Sequence, residues 1–432
     1  MSQIDHSHRA DASTWVDGAD HHPDFPVQNL PLGVFAPASG AARIGTAIGD
    51  YILDLSAMAA QGHLPQAVAP ALRRPTLNPL FALPASARRG LRHALFERLT
   101  GEDGYALLHP HLHRAAHCAM HLPFQVGDYT DFYTGIHHAA NIGRQFRPDN
   151  PLLPNYKHIP IAYHGRASSL RVSGEPLFRP RGQIKPAADD APRYEPCRPL
   201  DYELELGIWI AGENPRGAPV PVGDAADRIG GYCLLNDWSA RDIQAWEYQP
   251  LGPFMAKNFL TSLSPWVVTQ EAMAPFRLPQ RARAAGDPAI LPHLLHERDQ
   301  AGGALAITLE AGLRTAAMRA ARQPAHRLSE VGADHMYWTP AQMIAHHTSN
   351  GCNLRPGDLL GTGTISGPDR TGFGSLMEIA TGGATPITLP NGEVRAFLED
   401  GDEIIFRAKA EKPGYRSIGF GICTGVVTAA MP

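Results

Sequence analysis

Short apolar runs broken by glycine and proline organise this chain, and long amphipathic repeats are few. Residues 1–25 are polar, rich in His and Asp and aperiodic, which predicts a disordered N-terminal extension. From residue 30 to 55 the pattern changes to the runs 31–35, 42–50 and 51–55, punctuated by Gly, as in a small meander of strands. Between residues 84 and 100, Leu91, Leu95 and Leu99 recur every four positions beside Arg88, Arg89, Arg92 and Arg98, the signature of an amphipathic helix. These elements make a small mixed domain over residues 26–122. After a polar turn at 126–131, β-like runs at 201–210, 230–236, 304–309, 403–407 and 418–427 alternate with Gly/Pro turns. Only two short helical patterns, 239–248 and 340–349, interrupt them, and residues 277–303 have no period, as in a surface excursion. The second domain is therefore residues 123–432, and the expected fold class is mostly β with some α.

Composition narrows the picture. Of 432 residues 44% are hydrophobic and 19% charged, enough apolar material for packed cores. The 42 Gly and 39 Pro have no period, which excludes collagen and favours turns and short strands. Basic residues number 38 against 42 acids, and no basic stripe exists, so neither nucleic acid nor an anionic membrane is an expected partner. A small molecule is. The five cysteines are scattered with no CxxC, and the start of the chain carries no apolar signal core, so a cytoplasmic setting is expected.

The strongest local chemical signal is Asp201-Tyr-Glu203-Leu-Glu205. In a strand Glu203 and Glu205 share a face with Asp201, and paired carboxylates suit a hard divalent cation; the bland alternative is a half-solvated strand with its acids in water. Asp237 closes an apolar run just before a helical pattern, as either a ligand or a helix cap. Arg241 and Gln244, three apart on that helix, can offer donors to one oxygen, or can simply face solvent. Lys257 is one of only five lysines and the single charge in the apolar run 250–266, where it either snorkels to water or is held at a site. With 21 histidines in the chain a lone one means little, and His6, His8, His21 and His22 carry no argument. His138 differs only in its company, with Asp131, Tyr133 and Arg147 in the same segment.

The blocks Asp128-Tyr-Thr-Asp-Phe-Tyr133, Tyr163-His-Gly-Arg-Ala-Ser-Ser169, Asp201-Tyr-Glu-Leu-Glu205, Asn236-Asp-Trp-Ser-Ala-Arg-Asp-Ile-Gln244, Trp246-Glu-Tyr248, Leu251-Gly-Pro-Phe254, Asn353-Leu-Arg-Pro-Gly-Asp358 and Gly363-Thr-Ile-Ser-Gly-Pro368 form one collinear set. The set resembles the fumarylacetoacetase family, the long two-domain form of the fumarylacetoacetate hydrolases, from about Leu30 to the C-terminus. The resemblance implies a small N-terminal SH3-like barrel domain and a large mixed β-roll or sandwich domain, assembled as a homodimer. It implies metal-dependent hydrolysis of 4-fumarylacetoacetate to fumarate and acetoacetate, the last step of tyrosine and phenylalanine catabolism. Acylpyruvate or a related β-diketone is the alternative substrate within the fold.

Carried over residue by residue, the resemblance makes Asp131, Glu203, Glu205 and Asp237 the ligands of a divalent metal, Ca2+ and/or Mg2+. Lys257 and Thr261 belong to a second cation position that also involves Asp237. His138 is the base, oriented by Glu378. Arg241, Gln244 and Lys257 bind oxyanions. Tyr133, Arg147, Gln244, Tyr248 and Thr364 contact substrate, and Tyr163 lines the pocket. The chain departs from the family in having a second histidine, His137, directly before His138, and in the 277–303 stretch.

Overall fold

The computed structural model describes residues 3–432. The first sheet is built from strands β1 (Leu32–Pro37), β2 (Arg43–Ile48) and β3 (Tyr51–Asp54), and, beyond helix α1 (Ala85–Thr100), from β4 (Leu112–Arg114) and β5 (Cys118–His121). The order is β4-β3-β2-β1-β5 and every pairing is antiparallel. The larger part of the chain begins with β6 (Tyr129–Phe132), α2 (Ile136–Phe146), β7 (Ala162–Gly165), β8 (Leu170–Val172) and β9 (Leu177–Phe178). It continues through β10 (Leu204–Ile210), β11 (Ile229–Asp237), α3 (Arg241–Glu247) and β12 (Thr261–Leu263). It ends with β13 (Ile307–Arg314), β14 (His326–Gly332), α4 (Pro340–Thr348), β15 (Leu359–Gly361), α5 (Leu376–Ile379), β16 (Glu403–Ala410) and β17 (Ile418–Thr428).

Two sheets result. The central one runs β7-β6-β15-β10-β11-β12-β8, with parallel pairs at β6/β15 and β12/β8; the other runs β14-β13-β16-β17-β9. Strands β10 and β11 are buried at every position, because apolar layers cover the central sheet on both sides. One layer contains Leu204, Leu206, Ile208 and Ile210 and packs toward the second sheet. The other contains Trp209, Cys233, Leu235, Leu263 and Leu359 and is continuous with the core of the first sheet, including Leu91, Leu95 and Leu99 of α1. Backbone bonds between Leu32 and Val267, at 3.0 and 2.8 Å, join the two parts of the chain.

The expectation of a disordered extension is corrected for residues 3–25; residues 1 and 2 of that expectation lie outside the described residues. Ser7, His8, Ala12, Val16 and Ala19 are buried against α1 and its surroundings. Arg88 and Arg92, expected on the wet face of the helix, are each only 5% exposed. The reason is hydrogen bonding. The Arg92 guanidinium donates to Ser7 Oγ at 2.9 Å and to the carbonyl oxygens of Asn29 at 2.7 Å and Gln28 at 2.5 Å, and Thr14 Oγ1 donates to Leu99 O at 2.6 Å. A strap that satisfies a buried guanidinium with carbonyls and hydroxyls has no need of apolar periodicity, so its sequence reads as disorder.

Candidate active site

Side chains two apart on a strand share a face, and the face of the central sheet that holds Tyr129, Trp209, Leu235, Leu263 and Leu359 continues into polar residues at one end of the strands. Tyr129 is followed on that face by Asp131, Leu359 by Gly361, Leu235 by Asp237, and Leu263 is preceded by Thr261. Glu205 joins them from β10. The register pairs Tyr163 with Asp131, Asp131 with Gly361 and Asp237 with Thr261, and Glu205, opposite Leu235, stands two residues along the strands from Gly361 and Asp237.

Carboxylate oxygens of Asp131, Glu205 and Asp237, all buried, lie within 4.8 Å of one another. Glycine makes the approach possible. A Cβ at Gly361 would stand 2.3 Å from Asp131 Oδ1 and 3.1 Å from Glu205 Oε2, so only Gly lets the two acids converge over β15. The Gly363 amide, at φ +73°, then donates to Asp131 at 3.2 Å and Glu205 at 3.0 Å. Neither glycine was singled out in the sequence as a site position, because a backbone donor and a missing Cβ leave no chemical signature.

Asp237 is a hub and not a helix cap: α3 begins after Ala240 with no side-chain cap. Asp237 accepts from Tyr163 Oη at 2.8 Å, Lys257 Nζ at 2.8 Å and Thr261 Oγ1 at 3.0 Å. Lys257, 5% exposed, does not snorkel; its ammonium also donates to Glu203 Oε2 at 2.5 Å. Glu203 therefore stands one step outside the three converging acids, tied to them through Lys257. Its second oxygen accepts from Arg241 Nη1 at 2.7 Å.

Arg241 spends its other donors on Asp201, at 2.9 and 2.7 Å, and on Gln244 Oε1 at 3.1 Å. Asp201 in turn accepts the amides of Leu376 at 2.8 Å and Met377 at 3.0 Å, the first residues of α5. That contact positions Glu378. Strand alternation puts Asp201 only on the face of the acid pair, and its role as the anchor of α5 is visible only in three dimensions.

Burial and then the neighbouring carboxylates push Asp131 and Glu205 well above the ordinary carboxyl range. Burial would raise Glu203 too, but Lys257 and Arg241 hold it well below that range. Burial works against the Lys257 ammonium, yet Asp237 and Glu203 more than offset it and raise Lys257 above its usual value. Of the three converging acids only Asp237 touches that ammonium, and Asp131 and Glu205 have no cationic side chain bonded to them among the described residues. Glu205 Oε1 and the nearby Tyr129 hydroxyl are buried with no hydrogen-bond partner among the described residues. An all-oxygen, acid-rich donor set with an orphaned carboxylate oxygen fits a hard divalent cation.

His138, 2% exposed, is on the first turn of α2, its Nδ1 2.7 Å from Glu378 Oε2 and its Nε2 4.0 Å from Glu203 Oε1. Glu378 also accepts from Asn141 Nδ2 at 2.8 Å, Ser366 Oγ at 2.9 Å and Ser375 Oγ at 2.8 Å. Burial would raise its carboxyl, but His138 and these donors bring it below the ordinary value. An ionised Glu378 only accepts, so Nδ1 carries the proton and Nε2 presents its lone pair. His137 faces the other way, its ring 5.4 Å from that of His335.

The remaining expected residues rim this centre. The Tyr133 ring meets His138 edge-on at 5.5 Å, and Thr364 is buried with its hydroxyl unpartnered among the described residues. Arg147, just past α2, uses Nη2 on Pro151 O at 3.4 Å and leaves a buried Nε with no partner among the described residues. Its neighbour Phe146 packs 6.3 Å from the Tyr248 ring, which follows α3. Arg147 and Tyr248 thus come near each other from the ends of two different helices.

Two family models match the chain: Fumarylacetoacetase N-terminal over residues 28–123 and Fumarylacetoacetate (FAA) hydrolase C-terminal over residues 129–428. A fumarylacetoacetase of Caenorhabditis elegans is 46% identical over 94% of this chain and 97% of its own, and that of Homo sapiens is 44% identical with the same coverage. The fumarylacetoacetase of Arabidopsis thaliana is 42% identical over 96% of this chain and 98% of its own. Among solved structures, a fumarylacetoacetate hydrolase from Exiguobacterium antarcticum superposes with a TM-score of 0.50 at 16% identity, covering 93% of this chain and 99% of that one, a likeness of fold.

Proposed function

Because the chain belongs to the fumarylacetoacetate hydrolase family and is a hydrolase, we propose that its carboxylate-lined centre cleaves the carbon–carbon bond of 4-fumarylacetoacetate, giving fumarate and acetoacetate. The reading extends to a place in tyrosine and phenylalanine catabolism and to a cytoplasmic homodimer. No helix among the described residues is long and apolar enough to cross a membrane.

On this reading His138 takes a proton from water through Nε2, and Glu378 holds the imidazole in the right tautomer and stabilises the imidazolium that forms. Water so activated adds to the ketone carbon at the bond to be broken. Oxyanion stabilisation falls to Lys257 and to the amide of Gln244, whose Oε1 accepts from Arg241 and whose N–H donors are not used in that bond. Arg241 then acts through Gln244 and Glu203. Arg147, Tyr133, Tyr248 and Thr364 bind the polar ends of the substrate, Arg147 as the charge partner of a carboxylate. The proton on His138 passes to the departing carbanion carbon, which completes acetoacetate. Asp131, Glu205 and Asp237 would hold the divalent ion, Ca2+ or Mg2+, and Glu203, one step outside them on Lys257 and Arg241, would complete the set, with Thr261 and Lys257 beside Asp237. When bound, such an ion supplies Lewis-acid polarisation of the diketone oxygens.

The observation that carries this reading is the buried His138–Glu378 pair with its free Nε2 turned toward the acid cluster. The test is turnover of 4-fumarylacetoacetate by metal-stripped protein with Ca2+, Mg2+ or Mn2+ returned singly, followed by loss of the diketone absorbance. Activity should vanish on stripping and return with Ca2+ or Mg2+. Full activity in the stripped protein, or no rescue by any ion, would overturn the metal-dependent reading.

A further inference from the structure

A second group of metal-ligand side chains gathers where the N-terminal strap crosses α1, far in sequence from the carboxylate centre. Asp5, His6 and His93 each offer a ligand atom, and these atoms lie within 4.8 Å of one another. The arrangement is built. Asp5 caps the 3-10 turn His6–His8, and its Oδ1 accepts from Ser7 N at 3.0 Å and Ser7 Oγ at 2.7 Å. That leaves Oδ2 aimed at His93 Nε2, 2.7 Å away. His93 and Glu97 are four apart on α1 and so lie on one face. Glu97 Oε1 is 3.4 Å from His6 Nε2, and the His6 and His93 rings are 4.6 Å apart. Phe96 supports the His6 ring from the edge at 5.8 Å.

The chemistry of this set differs from that of the active centre. Two imidazoles and two carboxylates are borderline donors that suit first-row transition ions, whereas the all-oxygen centre suits Ca2+ or Mg2+. The charged neighbours are compatible with a cation. Arg92 turns its guanidinium to Ser7 and the Gln28 and Asn29 carbonyls, and His8 faces Asp5 Oδ1 at 3.2 Å and the Glu271 carbonyl. Two acids, Asp5 and Glu97, balance the added charge.

We propose that Asp5, His6 and His93, with Glu97 as a fourth ligand, bind a transition-metal ion of the Zn2+ type, and that this ion staples the strap to α1. Binding needs the lone pair of His93 Nε2, so the proton at that nitrogen moves to Nδ1 or to solvent, and no other bond is made or broken. The terminal histidine His6, which the composition of the chain makes uninformative, gains its meaning from a partner on a helix.

The test uses the full chain, stripped by chelator and then saturated with Mg2+, titrated with Zn2+ by calorimetry and separately with Co2+ by visible absorption. Wild type should bind one Zn2+ more than His93→Ala, or bind it at least about tenfold more tightly. The Co2+ bands should disappear in His93→Ala and persist in Asp237→Asn. His6→Ala, which removes a half-exposed ring, covers the case of a poorly folding His93 variant and should weaken Zn2+ equally while leaving hydrolase turnover unchanged. Zn2+ should also raise the melting midpoint of wild type and not of His6→Ala. Equal Zn2+ stoichiometry and affinity in wild type and both histidine variants, or Co2+ bands lost in Asp237→Asn and kept in His93→Ala, would overturn the proposal.

Discussion

Two adjacent histidines, His137 and His138, have the same side chain and opposite surroundings. On a helix successive residues point about 100° apart, so only one of the two can face a given partner. His138 meets the ionised, four-donor Glu378, while His137 pairs with His335 and is lowered by burial and Arg281. His138→Ala should therefore keep fold and bound metal and lose turnover by about 10²–10⁴-fold, the worth of a positioned base. His137→Ala should stay near wild type. Steady-state kinetics with circular dichroism and metal analysis on both variants checks this, and the reverse result would reassign the base. At the same scale Lys257 shows why rarity in a sequence can matter: a lone ammonium inside an apolar run is stable there only because Glu203 and Asp237 hold it on two sides.

Among the elements, the decisive one is the short strand β15, which brings no functional side chain. It lies between β6 and β10 and ends at Gly361, over which Asp131 and Glu205 meet. Gly361→Ala should force these acids apart, weaken divalent-ion binding by at least tenfold and leave most of the fold intact. Gly367→Ala, whose Cβ would meet nothing closer than 3.6 Å, is the matched control. Isothermal titration with Ca2+ or Mg2+ reads the difference, and equal affinities in the two variants would remove Gly361 from the site. The longer strands and two of the helices were legible in the sequence because alternation and helical spacing are local: the run expected at 201–210 holds β10, and those at 239–248 and 340–349 hold α3 and α4, whereas β6, which overlaps the expected polar turn at 126–131, and α2, which bears His138, carry no such pattern. The buried arginine face of α1 was not legible, because an arginine bonded to carbonyls and one in water look the same in one dimension.

At the scale of the whole molecule, one apolar core spans the first sheet, the strap and one face of the central sheet. The strap is therefore part of the structure and not an appendage. Removing residues 1–25 would take Ser7 from the buried Arg92 guanidinium, which keeps the Gln28 and Asn29 carbonyls, and would remove Ala12, Val16 and Ala19 from the shared core. The expected cost is about 3–5 kcal/mol, from a lost hydrogen bond to a charged group together with the lost burial of Val16 and its neighbours. Scanning calorimetry of the truncated chain against the full chain measures it, and an unchanged melting midpoint would show the strap to be dispensable.

By itself the sequence determined the local things: the strand alternation that puts Glu203 and Glu205 on one face, the helix period of α1, and a collinear set of blocks that resembles one family. Only the tertiary structure decided which acids converge, that Lys257 lies between Glu203 and Asp237, that Asp201 anchors the helix bearing Glu378, and that a polar N-terminus is packed. The physical reason is that side-chain direction follows from two or four neighbouring residues, whereas sheet order and buried hydrogen-bond partners join positions hundreds of residues apart. No local pattern encodes them.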